Sequence, residues 1–331
     1  MLIVPITSFD LSVHPEKWET FFNRTWPFYK AWFLKEGPTA RPGYLTSLGA
    51  FEKHFPELVD TYKSLCEQIG GGDLASRYLS MYSPPPYMSG CSQLAWVKDV
   101  PLLIRNYDYS PRYFEGAFVK TNWLKPVMGM TDCNWGLLDG VNEDGLCASL
   151  TFGGRRITGI GFGIPLIVRY CLETCSTTAQ AIEKLMEIPA HMAYNITLLD
   201  ANLDYATIFF VPGGPNQLTR MAVGTNHQNE VNWSDYAIMT QTVERRSLLD
   251  AALLNPAETA DSIIHKFLQP PLFNTAYEKA FGTLYTAIYS PVTKGVTLMW
   301  PSKKIHQTLG DFKEHKHKIK LRANANRLLA T

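Results

Sequence analysis

Hydrophobic positions recur every three or four residues through the first 75 residues and give way after residue 92 to short strand-like runs. Trp18, Phe21, Phe22, Trp26, Phe28, Trp32 and Phe33 share a helical face within residues 14–36, with an interruption expected at Pro27. Phe51, Phe55, Leu58, Tyr62 and Leu65 repeat that spacing over 51–69, and Gly70-Gly71-Gly72 stops the helix. The first 75 residues therefore read as mostly helical, with the aromatic stripe committed to packing.

Beyond them, Ala95–Val97 and Leu102–Asn106 flank Lys98-Asp99-Val100-Pro101 as a hairpin. Leu137–Asp139 and Leu146–Phe152 flank a turn-rich stretch from Gly140 to Gly145 as a second one. Gly153, Gly154, Gly159, Gly161 and Gly163 mark a loop, and neither GxGxxG nor a P-loop pattern is present to cradle phosphate. Pro165 suits the first turn of a helix over Leu166–Thr174, and Thr177 has capping-box spacing ahead of one over Ala181–Met186. Strands are expected at Asn195–Asp200, Tyr205–Val211, Leu284–Ser290 and Val296–Trp300, and helices at Arg245–Leu254 and Ala260–Phe267. Basic residues alternate through His315–Leu321, as in an edge strand that resists sheet aggregation. The pattern predicts an α+β fold, layers of antiparallel sheet with helices outside, and a boundary near residues 84–91.

Composition narrows the function. With 46% hydrophobic and 18% charged residues the chain is globular, and its net charge of +1 sets up no field to recruit nucleic acid or an anionic membrane. The N-terminus lacks the basic and apolar regions of a secretory signal, and no apolar run has the length of a membrane span. Six scattered cysteines without a CxxC pair fit reduced thiols in the cytoplasm. HExxH is absent and His315-Lys316-His317 is a poor zinc pattern, so neither metal nor cofactor is expected. None of the eight histidines sits in a protease signature.

Four stretches carry chemistry together: Gly90-Cys91, Arg105-Asn106-Tyr107-Asp108, Asn142 to Leu146 leading to Leu150-Thr151-Phe152, and Thr225-Asn226-His227. A thiol is a good nucleophile only when something takes its proton. An α-amino group, with an ordinary pKa of roughly 7.7–8.0, is closer to working pH than lysine at about 10.4. A cysteine that is itself a chain terminus therefore carries its own base and needs no histidine.

With Gly-Cys at this spacing from Arg-Asn-x-Asp, the sequence resembles the N-terminal-nucleophile (Ntn) cysteine hydrolases, which include penicillin V acylases and bile salt hydrolases. The long segment before the cysteine and the Thr-Asn-His triplet favour the branch of isopenicillin-N acyltransferases, the acyl-coenzyme A:6-aminopenicillanate acyltransferases. The resemblance implies a four-layer αββα sandwich preceded by a mainly helical pro-segment. It implies self-cleavage of a zymogen at Gly90–Cys91, giving residues 1–90 as a fragment bound to a catalytic core of 91–331.

By the same resemblance Arg105 lies beside the Cys91 thiol, and Asp108 accepts a hydrogen bond from the new α-amine. Three residues apart on a strand, these two side chains point to opposite faces, so a bend or bulge is expected near Asn106. Asn226 is the matching oxyanion donor. Thr151 stands where the bile salt hydrolases carry an asparagine, so its backbone N–H or its hydroxyl substitutes. Arg245, with Arg246 as the alternative, fits the arginine at the start of a later helix, and His227 is structural. The implied reaction hydrolyses or transfers the acyl group of a small linear amide through a Cys91 thioester. Acyl-coenzyme A enters as a donor substrate on the branch resemblance alone. Residues 112–135 and 153–163 are candidate walls of an acyl pocket. Two other readings compete: a non-catalytic relative using the fold as a binding or structural module, and a Cys–His protease working through His227.

Overall fold

The computed structural model describes residues 2–322, and its first element departs from the helical expectation: β1 (Leu2–Asp10) is a strand. Helices α1 (Glu16–Phe33), α2 (Tyr44–His54), α3 (Val59–Gln68) and α4 (Asp73–Leu79) follow it. Helix α1 runs through Pro27 without a break. Pro27 removes one helical hydrogen bond, but Trp18, Phe21, Phe22, Tyr29 and Phe33 bury a face that spans it, and that burial outweighs a cost of about 3 kcal/mol. The second helical stretch does divide: Pro56 opens a short turn at Pro56–Leu58 between α2 and α3.

Strands β2 (Gly90–Trp96), β3 (Leu102–Tyr109), β4 (Ala117–Asn122), β5 (Pro126–Asp132), β6 (Gly136–Asn142) and β7 (Cys147–Phe152) precede helices α5 (Ile164–Thr174) and α6 (Thr178–Met186). Next come β8 (Tyr194–Leu199), β9 (Tyr205–Phe210), the short β10 (Gln217–Thr219) and β11 (Val223–Gly224). Helices α7 (Ser234–Thr240), α8 (Thr242–Leu254) and α9 (Ala260–Phe267) lead to β12 (Gly282–Ser290), β13 (Gly295–Trp300), β14 (Lys303–Thr308) and β15 (Lys316–Leu321). The pattern missed β1, β4, β5 and β14, whose runs are interrupted by Lys, Gly or Pro; pairing with neighbours supplies what their composition lacks.

A nine-stranded sheet has the order β10-β9-β8-β7-β6-β5-β4-β1-β15, and a six-stranded sheet the order β11-β2-β3-β12-β13-β14. The sheets face each other through β2 and β3 against β7 and β8. Helices α5 and α6 cover the outside of the larger sheet, and α8 and α9 the outside of the smaller one, so the layers run helix, sheet, sheet, helix. Pairing is antiparallel except between β1 and β4, which are parallel. Strand β15 is an edge strand, as its alternating lysines suggested, and it pairs along β1. The segment before residue 90 is thus not only a helical cap, because it supplies a strand to the larger sheet. Among the described residues no helix is long and apolar enough to cross a membrane.

Helix α5 lies close on β6 because Gly136 and Gly140 leave room beneath it. A Cβ at Gly136 would stand 2.5 Å from Pro165 Cβ, and one at Gly140 2.7 Å from Met128 O and 2.9 Å from Leu172 Cδ1. Gly140→Val is expected to lower stability by about 1–3 kcal/mol through overpacking. Gly310→Ala, at a position with open space around it, should stay within about 0.5 kcal/mol of the parent. Urea denaturation followed by circular dichroism reads both.

Candidate active site

Alternation along β2 and β3 decides which side chains meet. The two strands pair in regular register from Gly90↔Asp108 to Trp96↔Leu102, so Cys91, Gln93, Arg105 and Tyr107 share one face. That face looks across to the larger sheet, where Gln93 bonds Ser149 and Thr197 and Arg105 bonds Asp139. Gly90, Ser92, Asn106 and Asp108 share the opposite face, toward α8 and α9. The bend expected near Asn106 is absent from β3; the register shift lies on its other partner, β12, between Thr283 and Tyr285. Arg105 and Asp108 do point to opposite faces, and each meets a different part of Cys91's surroundings.

On the inter-sheet side the Cys91 thiol is completely buried, 3.4 Å from Arg105 Nη2 and 3.8 Å from Ser89 Oγ. Arg105 is anchored by Asp139, whose carboxylate also accepts from Tyr285 Oη and Tyr289 Oη. The guanidinium stacks on Tyr107, 4.9 Å from the ring centroid. Burial pushes the thiol pKa up, and the Arg105 charge opposes that rise.

On the helix side Arg245 of α8 reaches the end of β2. Its Nη1 donates to Cys91 O at 2.9 Å and Ser92 Oγ at 2.9 Å, and pairs with Asp108 Oδ2 at 3.2 Å. Its Nη2 donates to Asn226 Oδ1 at 2.7 Å. The same Asn226 oxygen accepts the Cys91 backbone N–H at 2.9 Å, while Asn226 Nδ2 faces Phe152 O at 3.2 Å and Ser89 O at 3.4 Å. Two donors on one side and two carbonyls on the other fix the orientation of the carboxamide. Asp108 also accepts from Thr283 Oγ1 at 2.6 Å. Its pKa is raised by burial, against the pull of Arg245 and Thr283.

Cys91, Arg105, Asp108, Asn226 and Arg245 therefore converge. In the continuous chain the Cys91 peptide nitrogen donates to Asn226, and Asp108 is linked to that oxygen through Arg245. Thr151 stands one layer back: its hydroxyl donates to Thr225 O at 3.1 Å and accepts from Asn195 Nδ2 at 3.0 Å. Arg246 turns away to Asp250, which resolves the choice between the two arginines in favour of Arg245 as the one at Cys91. His227 Nδ1 lies 2.9 Å from Thr242 Oγ1, and no histidine among the described residues is hydrogen-bonded to the thiol. Sequence reasoning gave no role to Asp139, Tyr285, Tyr289 or Tyr236, whose hydroxyl donates to Ser89 O at 2.7 Å. Asp139 did leave a signal, a lone carboxylate in the apolar run Leu137-Leu138-Asp139.

Beside the site a cavity of about 360 Å³ is lined by Phe28, Tyr29, Trp32, Tyr87, Tyr109, Tyr113 and Asp132, among others. Cys91 is not among its lining residues; Tyr109 of the wall lies 5.7 Å, ring to ring, from Tyr107, which pairs with Cys91 across the strands. Residues 112–135 do contribute to this wall, whereas the 153–163 loop lines a different cleft, with Arg41 and His191. Beneath the cavity Asp132 Oδ1 accepts from Tyr29 Oη at 3.2 Å and Cys133 N–H at 3.1 Å, and Tyr29 also donates to Glu115. Burial, and then the neighbouring Glu115 charge, push the Asp132 pKa up to about 7. Among the described residues no cluster of three or more metal-ligating side chains occurs.

The sequence model of the acyl-coenzyme A:6-aminopenicillanic acid acyl-transferase family matches residues 97–304. The match begins after Cys91 and takes in Arg105, Asp108, Thr151, Asn226 and Arg245. A comparison with curated protein sequences finds no match. Among solved structures, penicillin V acylase from Agrobacterium tumefaciens is similar at 14% identity and a TM-score of 0.45, over 73% of this chain and 94% of that one. A conjugated bile acid hydrolase from Clostridium perfringens gives 15% and 0.45, over 72% and 99%. An N-acylethanolamine-hydrolyzing acid amidase ortholog from Caenorhabditis elegans gives 12% and 0.42, over 70% and 100%.

Two outcomes follow from these contacts. Arg245→Met strands Asp108 without a cation and should cost about 3–5 kcal/mol in urea denaturation, part of which Asp108→Asn in the same chain recovers. Asp132 has a folded pKa of about 7 above its ordinary 3.8. Its stabilising contribution is therefore fully present below the lower value and lost as pH rises through the higher one. Asp132→Asn should flatten the dependence of melting temperature on pH across that window.

Proposed function

The chain belongs to the acyl-coenzyme A:6-aminopenicillanic acid acyl-transferase family, enzymes that hydrolyse amides or transfer acyl groups, and on that premise we propose that Cys91 is its nucleophile and is freed by self-cleavage. The observation that carries this reading is the double hold on one residue. The Cys91 nitrogen donates to Asn226 Oδ1 at 2.9 Å while its sulfur lies 3.4 Å from Arg105 Nη2. One cysteine is thus gripped at both the atom that would attack and the atom that would serve as base.

In the maturation step the Cys91 sulfur adds to the Gly90 carbonyl carbon. The C–N bond breaks, the thiol proton ends on the Cys91 nitrogen, and a thioester joins Gly90 to the sulfur. Water then releases Gly90 as a carboxylate and restores the thiol. The neighbouring peptides are tied down, Ser89 O by Tyr236 and Asn226 and Cys91 O by Arg245, which fixes the position of the bond between them. A side chain at position 90 would meet Phe281 Cζ at 2.5 Å and Asp108 Cβ at 3.1 Å, which suits glycine there.

In turnover the free α-amine, oriented by Asn226 and, through Arg245, by Asp108, takes the thiol proton. The thiolate attacks the substrate carbonyl, the amine product leaves with the proton, and the acyl thioester passes to water or to an acceptor amine. Arg105 favours the thiolate. Departure of Ser89 and Gly90 removes one of the two carbonyls that Asn226 Nδ2 now faces, making it available to the oxyanion. Thr151 holds the Thr225–Asn226 segment in place through Thr225 O, and the second oxyanion donor is a backbone N–H near it. Acyl-coenzyme A is an acyl donor that this chemistry accepts without change. Residues 1–90 stay attached after cleavage because β1 lies between β15 and β4. Six free, buried cysteines fit a reducing compartment such as the cytoplasm.

Intact-mass measurement of the purified protein should show a second chain starting at Cys91. Cys91→Ala should give one full-length chain and lower turnover of N-acyl amines by about a thousandfold or more, and Cys91→Ser should cleave slowly at most. His227→Ala should cleave and turn over, which a Cys–His protease would not do. A wild-type chain that stays whole and loses nothing on Cys91→Ala defeats the proposal and leaves the binding-module reading.

A further inference from the structure

The aromatic cavity, linked to Cys91 through Tyr109 and Tyr107, has a chemistry that amide cleavage alone does not call for. Six aromatic side chains form an unbroken arc around it. Tyr87 meets Trp32 at 6.0 Å, Trp32 meets Tyr29 at 6.1 Å, and Tyr29 meets Phe28 at 5.3 Å. Phe28 stacks on Tyr113 at 5.3 Å, and Tyr113 meets Tyr109 at 6.2 Å. Phe28 and Tyr113, stacked at the rim, are 43% and 41% exposed, an arrangement that leaves apolar ring faces open to solvent.

No lysine, arginine or histidine lines the cavity, and its one ionisable carboxylate is Asp132. Asp132 makes its hydrogen bonds through Oδ1, and Oδ2 accepts none among the described residues. Glu115 lies behind it across Tyr29, held by Thr131 Oγ1 at 2.6 Å and Asn134 N–H at 2.8 Å. Neither carboxylate has an ion-pair partner among the described residues. Arg24 acts on Glu115 and Arg105 on Asp132 only through space. Two carboxylates sharing one tyrosine, and unneutralised by a protein cation, favour a positive ligand or an added proton.

We propose that this cavity binds an ammonium group carried by the substrate, with Asp132 as its counter-ion and the aromatic arc as its cation–π walls. The substrate class is then an acyl amide or acyl thioester bearing a protonated amine on one side of the scissile bond. An aromatic box without the carboxylate would suit a neutral acyl chain equally well, and a carboxylate without the box would leave a cation mostly in water; the two together select a charged, partly desolvated group. The high proton affinity of Asp132 agrees with this, since a buried carboxylate without a cation holds a proton that an ammonium would displace. Its place as a substrate subsite rests on the reading of Cys91 as nucleophile; the cavity's preference for cations does not.

The test uses the full chain carrying Cys91→Ala, which keeps the cavity and removes the chemistry, titrated by calorimetry with butylammonium, butanol and butyrate. The expected result is that butylammonium binds about tenfold or more tightly than butanol, with butyrate weakest. Asp132→Asn in that chain should erase the preference, and Trp32→Leu should weaken it while the carboxylate remains. Equal binding of butylammonium and butanol in the parent chain overturns the proposal without any appeal to the variants. A preference that survives Asp132→Asn overturns the assignment of the counter-ion. In wild-type protein butylammonium should compete with turnover of an N-acyl amide; binding without competition overturns the subsite. If the protein shows no turnover at all yet discriminates the three ligands, the cation site stands and the nucleophile reading falls.

Discussion

The charge pair between Arg105 and Asp139 is the constraint on which the site depends, because it joins the two sheets at the level of Cys91. Both side chains are fully buried, and removing either partner would leave a charge stranded in the interior at a cost of several kcal/mol. Tyr285 and Tyr289 complete the coordination of Asp139 from the smaller sheet. A slip of one residue in β3 would turn Arg105 to the helix side and lose all of this, so the pair fixes the register that also sets Cys91 and Asp108 on their faces. Gln93, bonded to Ser149 and Thr197, ties the sheets a second time two residues further along β2.

In the proposed reading Cys91 acts as both nucleophile and base through two atoms, and they do not lie on one side of a sheet. The thiol follows the strand's alternation onto the inter-sheet face, while the nitrogen belongs to the backbone and is reached from α8 and the Asn226 turn. Strand alternation thus delivers one charged partner to each. The bend expected near Asn106 came from asking Arg105 and Asp108 to meet a single point, a demand the chemistry does not make.

This also explains what could be read from the residues alone. The grouping of Cys91 with Arg105 and Asp108 was legible because Gly90–Trp96 and Leu102–Tyr109 are close in sequence and pair as adjacent strands. Tyr285 and Tyr236 owe their positions to packing between layers and to partners distant in sequence, so no local spacing announces them, and Asp139 shows only as a lone carboxylate in an apolar run. The hairpins β2–β3, β6–β7 and β12–β13 were legible from alternation and turns. Strand β1 was not, since Leu2–Asp10 carries a proline and finds its strand partners only in residues 117–120 and 316–321. The N-terminal helical segment was legible as helix but not as a wall of the aromatic cavity, to which residues before Gly90 contribute Phe28, Tyr29, Trp32 and Tyr87.

The pairing of β1 with β15 has a consequence for the order in which the molecule can be built. One edge of β1 stays open until β15 exists, when Ile3, Pro5 and Thr7 find Lys320, Lys318 and Lys316. A chain still in synthesis therefore carries an unpaired strand edge from β1 until β15 is made, the kind of edge that invites mispairing. A chain cut between these strands would have to find its partner by collision to refold, so persistence of the finished protein would be governed by the rate at which it opens.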